Sequence, residues 1–141
     1  MKPAEVRFYF DADILGLAKT VCSLRWDSTY PGDPGAVIHK HERAACHIAP
    51  HTPDADWIGD VSQRGWLMST RDSNIQGHVA EVNAVLDNGG RMVALASHDA
   101  GTVWAQPEVL MTQWRSIELL LADDPPFVYT ATRTSLHRVA P

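Results

Sequence analysis

Apolar and polar residues alternate near the start of the chain and then change to a helical spacing. Three β-branched or aromatic residues alternate with Arg7 and Tyr9, which predicts a buried or half-buried strand over residues 6–10. From residue 14 to about residue 22, apolar residues recur close to the period of an α-helix. The pattern therefore predicts a strand followed directly by a helix, with Asp11 at the carboxyl end of the strand.

Strands and helices are predicted to alternate along the rest of the chain. Helices are expected over about 52–65, 77–88 and 102–121, and strands over about 36–39, 66–70, 91–96 and 127–132. Turn formers over residues 27–35 predict a loop, and Pro107 predicts a break in the last helix. This order favours an α/β fold, a three-layer α/β/α domain with a mostly parallel sheet of four or five strands.

Size and composition favour one ordinary globular domain over residues 1–141. The chain is 45% hydrophobic and 21% charged, and no apolar run approaches the roughly 20 residues of a membrane span. Without a segment typical of a signal peptide, we expect a cytoplasmic protein with no membrane contact. The net charge of −5 argues against a large electrostatic footprint for nucleic acid, although bound cations would reverse the local sign.

Aspartates recur where predicted strands end and where a predicted helix begins. Asp11 and Asp72 follow two strands, and Asp54 and Asp56 open the middle helix. In a parallel sheet, the carboxyl ends of strands and the N-termini of helices lie on the same side, so these residues can meet. Three or four oxygen ligands without His or Cys favour Mg²⁺ or Mn²⁺, which activate water in phosphoryl chemistry.

Some of these acids also have plain structural explanations. Asp13 is placed to cap a helix that begins at Ile14, and Asp11 would then be only a turn residue. Thr52 or Asp54 is expected to cap the middle helix, and Gly65 is expected to end it.

Four of the chain's seven histidines lie between residues 39 and 51, together with Cys46. These residue types are the usual zinc ligands, but their spacing does not form two proper ligand pairs. A solvated, histidine-rich loop is the alternative to a zinc site. Cys22 and Cys46 are expected to be reduced.

Three motifs, in order, resemble the PIN-like domains of the VapC toxin superfamily. They read Phe-Tyr-Phe-Asp-Ala-Asp at 8–13, Pro-Asp-Ala-Asp-Trp-Ile at 53–58 and Gly-Trp-Leu-Met-Ser-Thr-Arg-Asp-Ser-Asn-Ile at 65–75. The resemblance covers roughly residues 5–97. It implies a compact α/β/α ribonuclease that uses Mg²⁺ or Mn²⁺ and is held inactive by a cognate antitoxin.

The resemblance also implies roles for individual acids. Asp11 would be the first metal-binding acid, Asp54 or Asp56 the acid of the middle helix, and Asp72 the acid at a strand end. Asn74 stands where the family often has a further acid. Its carbonyl oxygen can bind a metal but brings no charge.

Residues beside these acids are candidates for contacts with RNA. Thr70 would orient water or phosphate, and Arg71 and Asp13 are candidates for binding the substrate. The long helix after Thr102 carries more apolar residues than one face needs, which suggests a homodimer or a partner surface.

Two other functions remain open on the sequence alone. In a haloacid-dehalogenase-like phosphatase, Asp11 would be the nucleophile, Asp13 the general acid, Ser69 or Thr70 the second motif, and residues 123–124 the terminal acid pair. The lysine that such an enzyme needs is missing. A degenerate PIN-like fold used only for binding is the other alternative, favoured by Asn74 and by the net charge.

Overall fold

Strands and helices alternate along most of the chain in the computed structural model, which describes residues 1–72 and 75–141, without the side chains of residues 72 and 75–77. The strands are β1 Lys2–Pro3, β2 Phe8–Phe10, β3 Ser28–Thr29, β4 Ala36–Ile38, β5 His41–Arg43, β6 Leu67–Asp72, β7 Arg91–Ala96, β8 Phe127–Ala131 and β9 Leu136–Ala140. The helices are α1 Leu15–Leu24, α2 Asp54–Arg64, α3 Ile75–Asp87 and α4 Ala105–Leu119. Short 3-10 turns, Ala12–Ile14 and Leu120–Ala122, precede α1 and follow α4.

The main sheet has the strand order β3-β2-β6-β7-β8-β9. Its first five strands are parallel, and β9 is antiparallel to β8. The prediction of a mostly parallel α/β sheet is confirmed. The number of strands differs, because β3 lies in the segment 27–35 that was expected to be a loop and β9 lies in the expected tail.

Helices cover both faces of the sheet, so the three-layer prediction is also confirmed. Phe8 and Phe10 pack on the face covered by α1 and α4, together with Leu17 and Leu110. Tyr9 points to the other face, where it packs with residues of α2 and α3. All three residues of β2 are buried. Its alternating side chains therefore pack in the core on both faces of the sheet, as is typical of a strand covered on both sides.

The order of the strands places a crevice beside Asp11. From β2 the chain runs outward to β3 and then returns to β6 on the other side of β2. The carboxyl ends of β2 and β6 therefore flank the point where the strand order reverses, which is where open α/β sheets bind ligands. Asp11 continues the pairing beyond β2, because its backbone N–H donates to the Ser69 carbonyl at 2.9 Å.

A second, three-stranded sheet has the order β1-β5-β4. The strand predicted at 36–39 is β4, but it joins this small sheet. A buried ion pair anchors it, because Arg43 Nε donates to Asp33 Oδ2 at 2.7 Å and a second guanidinium nitrogen donates to the Cys22 carbonyl at 3.0 Å. The pair ties the small sheet to α1.

Two helix predictions are wrong in detail, and one is confirmed. Pro107 does not break α4, because it lies in the first turn of the helix, where its missing N–H has no helical partner to lose. Neither Thr52 nor Asp54 caps α2: the Thr52 hydroxyl donates to the Ala49 carbonyl at 2.6 Å, Asp54 is the first residue of the helix, and the N-cap is Pro53. Gly65 ends α2 with a φ of 75°, as expected of a left-handed C-terminal residue.

No helix in the described ranges, 1–72 and 75–141, is both long enough and apolar enough to cross a membrane.

Candidate active site

Asp11 lies at the carboxyl end of β2 and is almost completely buried, with 8% of its surface exposed. Its Oδ1 accepts a hydrogen bond of 2.7 Å from the backbone N–H of Ala12, so it caps the 3-10 turn that follows. Burial raises the pKa of Asp11 to about 7, and the nearby charges of Asp13 and Asp54 add to this effect against the hydrogen bond from Ala12. A cation at this position would stabilise the ionised carboxylate and offset the repulsion among these acids.

Asp13 does not cap a helix, so that prediction is wrong. Its Oδ2 accepts hydrogen bonds from the Thr70 hydroxyl at 2.6 Å and from the backbone N–H of Arg71 at 3.0 Å. Partial desolvation of the carboxylate and the charge of Asp54 raise the pKa of Asp13, and these two hydrogen bonds and the charge of Arg71 lower it in part. Asp13 therefore joins the segment after β2 to the end of β6 and fixes the two edges of the crevice.

Thr70 and Arg71 have partners that differ from those expected. The Thr70 hydroxyl is fully buried and gives its single proton to Asp13, so in this geometry it positions that acid and has no proton left for water or phosphate. One guanidinium nitrogen of Arg71 donates to the Gly101 carbonyl at 3.3 Å. The roles of both residues towards a substrate remain predictions.

The geometry separates Asp54 from Asp56, which the sequence left as alternatives. Asp54 Oδ1 accepts a hydrogen bond of 2.9 Å from the indole N–H of Trp57, which holds the carboxylate at the start of α2. Asp54 lines a cavity together with Asp11. Asp54 and Asp56 are both exposed, but Asp56 is not among the residues that line this cavity.

The cavity that contains both acids has a volume of about 440 Å³. It lies between the end of β2 and the segment that precedes α2, and it is lined by Tyr9, Asp11, Ala12, Pro31, Ile48, Ala49, His51, Thr52, Pro53, Asp54 and Trp57. Acidic side chains thus meet an apolar wall at the edge of the sheet where a ligand is expected.

Asp72 and Asn74 are described only in part or not at all. Asp72 ends β6, and its backbone pairs with Ala96 at the same edge of the sheet as Asp11. The side chain of Asp72 and the whole of Asn74 lie outside the described residues.

Asp99 is a further acid at this edge, and the sequence analysis did not single it out. It follows β7, and its Oδ2 accepts a hydrogen bond of 2.9 Å from the backbone N–H of Arg133. The guanidinium of Arg133 lies 3.4 Å from its other oxygen. Its position just after a predicted strand is the sequence feature that could have identified it. Its bonds to Arg133 show that Asp99 ties β7 to the turn between β8 and β9.

Side chains at this edge suit a hard divalent cation. Asp11 and Asp54 offer carboxylate oxygens in one cavity, and Asp72 is the expected third acid. Within the described residues alone, no group of three or more His, Cys, Asp or Glu side chains is arranged to hold a metal. The donor set therefore fits Mg²⁺ or Mn²⁺ only if Asp72, or oxygen atoms of water and substrate, complete it.

The histidines between residues 39 and 51 do not converge on one point. His41 stacks on Trp26 with ring centres 4.2 Å apart, whereas His47 Nε2 lies 2.8 Å from an oxygen of Asp60. His51 lines the cavity beside Asp11. In the part of the chain that the structure describes, these residues form no zinc site.

The acid pair required by the phosphatase alternative lies on the wrong side of the sheet. Asp123 and Asp124 precede β8, so they lie at the amino edge, and the Asp123 carbonyl accepts a hydrogen bond from Arg91 at the start of β7. Asp11 lies at the carboxyl edge. The phosphatase interpretation is therefore wrong, because its terminal acids cannot join its nucleophile.

Comparison with protein families agrees with this geometry. A family model described as a PIN-like domain matches residues 7–97, a range that contains Asp11, Asp54 and Asp72. The chain belongs to the PIN-like domain family and has a nuclease-type fold. Neither the curated proteins nor the solved structures gave a match to this chain.

Proposed function

We propose that this protein is a Mg²⁺- or Mn²⁺-dependent ribonuclease. The observation that supports it most is the meeting of Asp11 and Asp54 in one cavity at the point where the strand order reverses. PIN-like domains are generally nucleases, so a carboxylate-lined crevice in such a fold favours cleavage of phosphodiester bonds. The crevice is acidic, and a cation is needed to bring a phosphate there.

Each acid has a role that follows from its position. Asp11, Asp54 and Asp72 would hold the cation, and Asn74 would add a neutral oxygen. When bound, the cation supplies charge neutralisation at the phosphate and lowers the pKa of water. Asp13 acts through its bonds to Thr70 and the Arg71 backbone, which fix the spacing of the two strand ends.

Water is the proposed nucleophile. Among the residues that the structure describes, none that lines the cavity is a cysteine or a serine, the Thr52 hydroxyl donates to the Ala49 carbonyl, and the Tyr9 side chain is fully buried. Direct attack by a side chain therefore has no activated hydroxyl or thiol at this position.

A binding module without catalysis is a second candidate. It is favoured by the net charge of −5, which opposes RNA binding, and by Asn74 in place of an acid. If this candidate is right, the protein does not cleave RNA with any divalent metal.

We also propose that the ribonuclease is a VapC-like toxin. A cognate antitoxin would cover the acidic crevice and place an Arg or Lys where the cation binds. Exposed apolar residues at α4 offer a surface for this partner or for a second copy of the chain, since Trp104, Met111 and Leu119 are 92%, 69% and 73% exposed.

Expression in a bacterial host tests the toxin proposal. The wild-type chain is expected to arrest growth, because an unrestrained ribonuclease degrades RNA in the cell, and the Asp11→Asn form is expected to permit growth. Equal growth of both strains at matched protein levels would favour the binding module and would contradict the toxin role.

A further inference from the structure

Another cavity, the amino-edge cavity, lies at the edge of the main sheet opposite to the one that carries Asp11. Arg7 directly precedes β2 and Asp27 directly precedes β3, so both residues lie where these parallel strands begin. The amino-edge cavity has a volume of about 270 Å³ and is lined by Arg7, Leu24, Arg25, Trp26, Asp27 and His39. Of the residues that the structure describes, none lines both this cavity and the one beside Asp11. The amino-edge cavity is therefore separate from the candidate active site.

Two guanidinium groups share one buried carboxylate in this wall. Arg7 Nη2 donates to Asp27 Oδ2, and Arg25 Nε and Nη2 donate to the two oxygens of Asp27 at 3.0 and 2.9 Å. Glu118 also approaches Arg25, at 3.4 Å, but it is not one of the residues that line the cavity. Asp27 balances one of the two guanidinium charges, so the wall is positive in a chain whose net charge is −5.

Both arginines keep donors that a ligand can use. In the part of the chain that the structure describes, Nε and Nη1 of Arg7 and Nη1 of Arg25 bond to no protein acceptor. The two side chains are 43% and 33% exposed, so a ligand can reach them. Aromatic rings help to hold them, because the guanidinium of Arg7 lies 5.8 Å from the centre of the Trp26 ring and that of Arg25 lies 4.8 Å from the Trp114 ring. Planar guanidinium groups fixed in this way match the oxygens of a phosphate.

The turn between β4 and β5 brings a further basic residue to the cavity. His39 and Lys40 form this turn and both have a positive φ, 47° and 64°. Two-residue hairpin turns of this kind favour Asn-Gly, because other side chains fit them poorly. The next residue, His41, stacks on Trp26, and its Nδ1 lies 3.0 Å from the His39 carbonyl, which holds the turn beside the cavity. The turn therefore carries residues that suit an anion better than they suit the backbone.

We propose that the amino-edge cavity binds a phosphate group, either inorganic phosphate or the phosphate of a small phosphomonoester, through Arg7, Arg25 and His39. Guanidinium groups bind phosphate through pairs of short, charge-assisted hydrogen bonds. The volume of about 270 Å³ is just below the range of roughly 300–1,000 Å³ that is typical of small-molecule pockets, so a phosphate with a few attached atoms fits. The site needs no cation, and it does not depend on the proposed ribonuclease function.

Titration of the metal-free protein tests the proposal. Inorganic phosphate, glycerol 3-phosphate and glycerol are added in EDTA at constant ionic strength, while NMR follows the indole N–H of Trp26 and the amide of Leu24. Both signals are expected to shift with the two phosphates and not with glycerol, and the amide of Asp11 should stay unchanged. Tighter binding of glycerol 3-phosphate would identify a phosphomonoester as the ligand, whereas equal or weaker binding would identify inorganic phosphate.

Arg7→Gln is expected to weaken phosphate binding about tenfold, because a charge-assisted contact is lost. Asp27 keeps its two hydrogen bonds from Arg25 in this variant. Arg64→Gln is the matched control, since Arg64 is also an exposed arginine that pairs with an aspartate and lies over a tryptophan ring, that of Trp66, but does not line the cavity. It should bind phosphate like the wild type.

A double change of the turn, His39→Asn with Lys40→Gly, separates binding from folding. It is expected to weaken phosphate binding at least about threefold. Its melting temperature should not fall, because Asn-Gly fits the positive φ angles. If Arg7→Gln does not fold, this variant decides the matter.

Three results would overturn the proposal. The first is that phosphate leaves the Trp26 and Leu24 signals unchanged or shifts Asp11 instead. The second is that the turn variant and a folded Arg7→Gln both bind as tightly as the wild type. The third is that Arg64→Gln loses as much affinity as Arg7→Gln, which would show only a general effect of charge.

Discussion

Replacing Asp11 by asparagine is expected to reduce RNA cleavage by more than about 100-fold. Losing a residue that only orients a metal ligand typically costs 10–100-fold, so losing a charged ligand itself should cost at least as much. The substitution keeps the side-chain oxygen that accepts from Ala12, so the 3-10 turn is preserved. Initial rates on a fluorogenic single-stranded RNA with Mn²⁺ provide the measurement.

Asp56→Asn is the matched control for this experiment. It makes the same chemical change on the first turn of α2, two residues after Asp54, but at an exposed side chain outside the cavity. Its rate should stay within about twofold of the wild type. Equal losses in the two variants, or full activity of Asp11→Asn, would show that Asp11 does not hold the cation.

Asp11→Asn is also expected to stabilise the metal-free protein at pH 8. Burial and the charges of Asp13 and Asp54 raise the pKa of Asp11 from 3.8 to about 7, which sets an upper bound on the order of 4 kcal/mol for the cost of its ionisation in the folded state. Between these two pKa values the folded wild type binds more protons than the unfolded chain, so its stability falls as the pH rises. Asparagine avoids this loss.

Thermal unfolding in EDTA measures the effect across pH. The variant should melt at the same temperature as the wild type near pH 3 and several degrees higher above pH 7. Asp27→Asn is a useful contrast: although burial opposes it, hydrogen bonds from Arg25 and Arg7 lower the pKa of Asp27. That change should destabilise the protein at pH 8. A lower melting temperature for Asp11→Asn at pH 8 would identify Asp11 as a structural residue.

Local patterns predicted the strands and helices that carry the site, and the site residues lie at the ends of these elements. The alternation before Asp11 and the apolar run at 91–96 correspond to β2 and β7, and β7 has the predicted bounds. Residues 28–29 were missed because two residues in a turn-rich segment give no periodic signal, and they pair only because β2 lies beside them.

Side-chain partners were harder to predict than elements. Asp13 stands two residues before the first full helical turn, where a cap is the local expectation, yet its partners are Thr70 and Arg71, 57 and 58 residues away. Nothing in the local sequence predicts such a long-range contact. The choice between Asp54 and Asp56 likewise depended on which face of the first turn of α2 meets the cavity.

The cavity itself could not be predicted from the sequence either. The sequence pattern identified Tyr9 only as a strand residue. The other wall of the cavity comes from a loop at Pro31 and from the segment 48–53. These parts meet because the Arg43–Asp33 pair and the Gly32–Ile48 hydrogen bond hold the small sheet and its loops against the main sheet.

The most direct test of the central claim, a cation-dependent ribonuclease site at Asp11 and Asp54, is the analysis of RNA products formed with Mn²⁺ and with EDTA. We expect cleavage only with the metal, and products with 5′-phosphate and 3′-hydroxyl ends, because metal-activated water attacks the phosphorus. Undiminished cleavage in EDTA, or products that carry cyclic phosphate ends, would contradict the account.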